Sequence, residues 1–246
     1  MKGNSVFKRL FAPTDMTVGT PWKSILAFTL PMLLGNIAQQ LYSTVDTIVV
    51  GKYIGDNALS AVGSTLPILN MLLVLFIGIS AGATIMVSQY FGARNREGLS
   101  YTIGNCITVT ALCCVVLVAI MLPLIRPILV MLNTPASILE DCTGYLQISL
   151  IGIAGMGYYN ILSGIIRGMG DSVSALIYLL VATVINIGLD IWFVAGLHLD
   201  VAGVALATII SQYLSATLVI LRLSRLDDEC KLDIKHMRIS KRLFVK

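Results

Sequence analysis

Six long apolar stretches, parted by short polar segments, dominate the 246-residue chain. They cover residues 24–50, 59–90, 101–124, 138–165, 173–195 and 201–221. Each reaches the ~20 residues that a helix needs to cross ~30 Å of hydrocarbon. A membrane β-barrel would instead show shorter segments alternating with period 2. The pattern therefore predicts an all-α membrane protein, a six-transmembrane-helix bundle over residues 24–223. A tail, 1–23, precedes it, and a polar, charged segment, 224–246, follows.

Polar side chains inside the stretches keep helical spacing. Asn36, Gln39, Gln40, Ser43 and Asp46 form one stripe in the first span, Thr183, Asn186 and Asp190 another in the fifth, and Thr208, Ser211, Gln212 and Ser215 a third in the sixth. Asp46 and Asp190 are the acids deep within apolar sequence. A carboxylate at membrane depth costs at least ~2.5 kcal/mol and marks a functional site by default. At 1.5 Å per residue, Asp46, Asp190, Thr208 and Tyr145 each lie ~9–12 Å below the outer end of their span. Four helices thus offer oxygens at one level, and they make one pocket if the helices are neighbours. Carboxylates, a carboxamide and a hydroxyl suit a hard monovalent cation or a transferable proton. The alternative is an acid pair satisfied by hydrogen bonds between helices, with no ligand.

Helix-breaking residues add a second signal. Pro31 with Gly35 predicts a bend in the first span, and Pro67 with Asn70 another in the second. Gly78 and Gly82, four apart, predict close helix packing.

Composition agrees with the pattern: 57% hydrophobic, 12% charged and mean hydropathy +0.87, against about 25% charge in soluble domains. Except for Lys52 and Arg126, every Lys and Arg falls in the tails or in the second and fourth loops. The positive-inside rule then places both termini in the cytoplasm of a plasma-membrane protein. The basic tail needs only topology and attraction to lipid, so nucleic acid is not an expected partner. Residues 1–20 mix Lys2, Lys8, Arg9 and Asp15 with short apolar pieces, which does not match a cleavable signal. Five cysteines, odd in number and without metal spacing, read as packing residues. Catalysis is not expected: His198 and His236 stand away from any candidate nucleophile, and Arg167–Gly170 is a turn, not a nucleotide loop.

Five segments in order carry a family resemblance: LPMLLGNIAQQLYSTVDTIVVGKYIG (30–55), SQYFGARN (88–95), SGIIRGMGDS (163–172), NIGLDIWFV (186–194) and VAGVALATIISQY (201–213). Together they resemble the N-terminal half of multidrug and toxic compound extrusion (MATE) transporters. The resemblance implies one lobe of a two-lobe, twelve-helix antiporter that expels organic, often cationic compounds against Na⁺ or H⁺, with no other cofactor. It implies a cation site at Asp46, Asn186, Asp190 and Thr208, an adjoining cavity lined by Gln39, Tyr145 and Asn36, and a hinge at Pro31. The implied partners are membrane lipid, a small organic substrate and a second six-helix lobe, towards which 224–246 would lead. Two other readings stay open. Related lipid or oligosaccharide flippases share the two-lobe plan, although spans free of Lys and Arg argue against an anionic headgroup. A non-transporting membrane module is the other.

Overall fold

The computed structural model describes residues 20–224. The basic tails, Cys230 and His236 lie outside them. The described chain is helical throughout: α1 Pro21–Tyr53, α2 Asp56–Gly92, α3 Arg96–Met131, α4 Leu139–Ile151, α5 Ile153–Gly168, α6 Ser172–Ile191 and α7 Asp200–Ser224, with a π-helical turn, Trp192–Gly196, closing α6. Five of the helices are long and apolar enough to cross a membrane, and α4 with α5, bent by 48° at Gly152, brings the number to six if the pair is one span.

Local chemistry sets the boundaries. Gly55, at φ 116°, turns the chain between α1 and α2, a conformation open to glycine but not to most residues. The Asn95 side chain caps α3 by accepting from Gly98 N. Asp171 caps α6 by accepting from Ser174 N at 3.0 Å and from its hydroxyl at 2.7 Å.

Three details depart from the pattern read along the chain. The fourth span is not one helix. It breaks at Gly152, where the Ile209 side chain of α7 occupies the place a Cβ would take. The third span continues past residue 124 to Met131, through Pro123 and Pro127, with Arg126 exposed on it. Among the described residues, Gly78 and Gly82 make no close packing contact: both are exposed, with nothing within 4 Å of a built Cβ. The close contact uses the opposite partner. Gly157, Gly164 and Gly168 of α5 meet Phe76, Ser80 and Thr84 of α2. At this seam Ser80 Oγ donates to the Asn160 carbonyl at 2.8 Å and Thr84 Oγ1 to the Gly164 carbonyl at 3.0 Å. Small residues let backbones approach until hydroxyls reach the neighbouring helix.

The main core lies between α2, α3, α4 and α5, around Phe76, Ile103, Leu129, Ile161 and Ile165. Side chains such as Leu33, Val74, Val115 and Val184 point outward and are exposed, as expected of helices solvated by lipid. α1 packs mainly along α6, and α7 packs against α5 and α6. This arrangement brings the three polar stripes together.

Candidate functional site

Between α1, α6 and α7 the buried acids meet. Asn186 is fully buried, as is Asp190, and Asp46 is 9% exposed. With its amide nitrogen turned inward, Asn186 donates to Asp46 Oδ1 at 2.9 Å and to Asp190 Oδ2 at 3.2 Å, and its oxygen accepts from the Tyr42 hydroxyl at 3.2 Å. One amide thus reaches both carboxyl groups, which holds them close together. Thr208 stands beside Asp46 and Tyr42. Its hydroxyl and Asp190 Oδ1 are buried without a hydrogen-bond partner.

A cavity opens from this cluster and encloses about 880 Å³ of empty space, its mouth included. Gln39, Tyr145, Thr183 and Gln212 line it together with Asp46 and Thr208, and Val62, Leu69 and Leu179 supply its apolar wall. Among the described residues, no Lys or Arg lines it.

The sequence-selected residues separate into three groups. Asp46, Asn186, Asp190, Thr208 and Tyr145 converge, and Gln39 lines the adjoining space. Asn36 is exposed on α1, one turn before Gln39, and is not among the residues that line the cavity. Pro31 sits within α1, which runs unbroken through it. The Asn160 side chain donates to the Met156 carbonyl of its own helix at 2.9 Å, and Asn160 is not among the cavity-lining residues. Sequence reasoning missed Tyr42, although its position one helical turn before Asp46 places both on one face. Arg222, which charge alone groups with the basic tail, belongs to α7 and forms a 3.0 Å ion pair with the buried Asp171. It ties the α6 cap to the end of α7.

Membrane-length helices around a buried acid pair and a polar cavity define a multi-pass membrane bundle with a buried polar site. The chain belongs to the MatE family, whose model matches residues 31–192. It is 34% identical over 194 residues to the probable multidrug resistance protein YoeA of Bacillus subtilis, covering 77% of this chain and 42% of that protein. It is 31% identical over 222 residues to DNA damage-inducible protein F of Escherichia coli, covering 88% and 46%. A MATE crystal structure in a bent conformation superposes with a TM-score of 0.86 at 26% identity, covering 92% of this chain and 50% of that one. A MOP superfamily transporter from Pyrococcus furiosus superposes at 0.82 and 25%, covering 99% and 52%. The chain spans about half the length of the curated relatives it matches.

Proposed function

We propose that this lobe binds the coupling cation, Na⁺ or H⁺, of an antiporter that expels organic, mostly cationic compounds through the plasma membrane. The observation that carries the reading is the pair Asp46 and Asp190, bridged by one Asn186 amide at 2.9 and 3.2 Å in a buried site. Two carboxylates this close cannot both stay ionised in a low-dielectric interior without a positive charge between them. A shared proton meets that demand, and so does a bare cation. The orphaned Asp190 Oδ1 and Thr208 Oγ1 are spare oxygen ligands of the kind a hard cation takes. Asn186 suits either guest. Nitrogen inward, it bridges carboxylates; rotated by half a turn, it offers its oxygen to a cation.

Gln39 and Tyr145 then face the organic substrate. A cavity wall without Lys or Arg favours cationic or neutral compounds over phosphate-bearing lipids. Relatives described as multidrug resistance or export proteins support the substrate class. Pro31 inside α1 lacks the N–H of a helical hydrogen bond and would serve as a hinge; relatives have been solved in bent and straight conformations. A second six-helix lobe would complete the cleft, and both termini would face the cytoplasm.

The test is efflux of a fluorescent organic cation from vesicles carrying this lobe together with a second lobe. Asp46→Asn and Asp190→Asn should each abolish ion-driven efflux. Wild-type rates in both variants would refute the proposal.

A further inference from the structure

Oxygen groups continue beyond the acid pair. One turn along α7 from Thr208, Ser211 is 1% exposed and its hydroxyl has no hydrogen-bond partner. The neighbouring Gln212 Oε1 is buried and equally unpartnered. Both residues line the cavity that contains Asp46. Farther on, Ser215 donates to the Tyr178 carbonyl at 3.3 Å and, across on α6, Thr183 donates to the Leu179 carbonyl at 2.9 Å. Both hydroxyls therefore keep lone pairs to present to the cavity.

Buried polar atoms are normally hydrogen-bonded, and each exception requires an explanation. Packing does not supply one here. Ser211 and Gln212 sit at a cavity wall, where a second helix could have supplied a partner or an alanine could have avoided the cost. We propose that Ser211 and Gln212 form a second cation station, ~5–6 Å along α7 from Thr208, which takes a partly hydrated Na⁺ in transit to or from the carboxylates. The assignment rests on the cation-binding reading above and specifies Na⁺ as the ion.

The chemistry of the two stations differs. Asp46 and Asp190 neutralise the ion and hold it. Ser211 and Gln212 offer neutral oxygens, which replace waters without trapping the charge. Conduction along a protein path needs sites favourable enough to enter and weak enough to leave. Both directions of travel cross the same station. Its loss therefore slows entry and exit together and leaves the equilibrium constant of the carboxylate site in place. A residue that ligates the ion at its resting site would change affinity instead.

The experiment uses the whole chain in lipid nanodiscs, with ²²Na⁺ binding and release measured by rapid filtration. Asp46→Asn and Asp190→Asn should remove retained sodium. Ser211→Ala combined with Gln212→Leu should slow release about tenfold, the effect of a barrier about 1.4 kcal/mol higher, with affinity unchanged. Ser211→Thr, which keeps an oxygen at that position, should release at the wild-type rate and shows that substitution at the site is tolerated. An unchanged release rate in the double variant, with sodium still dependent on both aspartates, would overturn the station alone. Weaker binding with faster release would also overturn it, because it would place these oxygens at the resting site. Sodium binding that is absent from the unaltered chain, or indifferent to both aspartates, would overturn the cation reading and the station with it.

Discussion

The ion pair between Asp171 and Arg222 joins the start of α6 to the end of α7, the two helices that carry Asn186, Asp190 and Thr208. Asp171 is 4% exposed at its side chain and Arg222 20%. Two guanidinium nitrogens, Nε at 3.2 Å and Nη2 at 3.0 Å, donate to one carboxylate oxygen. Hydrogen bonds between charged groups are worth about 1.5–3 kcal/mol each. Because both share one acceptor and the arginine is partly solvated, a coupling of about 2 kcal/mol is the expected net value. That corresponds to roughly thirtyfold in the folded-to-unfolded ratio. The clean perturbation is a double-mutant cycle with Asp171→Asn and Arg222→Leu. Asparagine keeps a cap for Ser174 N while removing the charge. Arg222→Leu alone leaves a buried carboxylate without its cation and should destabilise by about 3 kcal/mol, within the range for a broken buried pair. In the Asp171→Asn background the same change should cost about 1 kcal/mol, leaving the coupling of about 2. Reversible unfolding of the purified chain in mixed detergent micelles, titrated with SDS, measures each corner. Additivity within about 0.5 kcal/mol would refute the reasoning, since independent sites behave that way.

Other expectations follow from the same geometry. Gly164→Ala places a methyl against Ser80 and Thr84 Oγ1 and should destabilise by about 1–3 kcal/mol, whereas exposed Gly78→Ala should be neutral or slightly stabilising; thermal melts of the two variants would contradict this if they shifted alike. Asn186→Leu removes the amide that bridges the acids and should weaken cation binding about ten- to a hundredfold, which equilibrium ²²Na⁺ binding to the folded variant would read directly. Sodium binding should also strengthen as pH rises, because ligand carboxylates must lose their protons first. Binding independent of pH would show that protons and sodium do not compete for Asp46 and Asp190.

Much of the site was legible because a membrane restricts where polar residues stand. An acid within an apolar span is conspicuous, and 1.5 Å per residue converts its position into depth. That arithmetic brought Asp46, Tyr145, Asp190 and Thr208 to one level, where the fold brings them together. Tyr42 escaped notice since tyrosine is commonplace in membrane helices, and its hydroxyl gains a role once the fold sets it against the Asn186 side-chain oxygen. Gly78 and Gly82 misled for a related reason. Spacing identifies a face of a helix, but not whether another helix covers it.

Periodicity and composition alone determined the class of the protein and set its two central acids inside apolar helices, because hydrocarbon excludes unpaired backbone and charge wherever the chain runs. Tertiary structure decided what those constraints leave free: α1 lies along α6, the fourth span breaks where Ile209 fills the space beside Gly152, and Asn186 holds two carboxylates at once. Packing between helices depends on side-chain shape across segments far apart in sequence, so the neighbours of a polar stripe emerge only when the bundle closes.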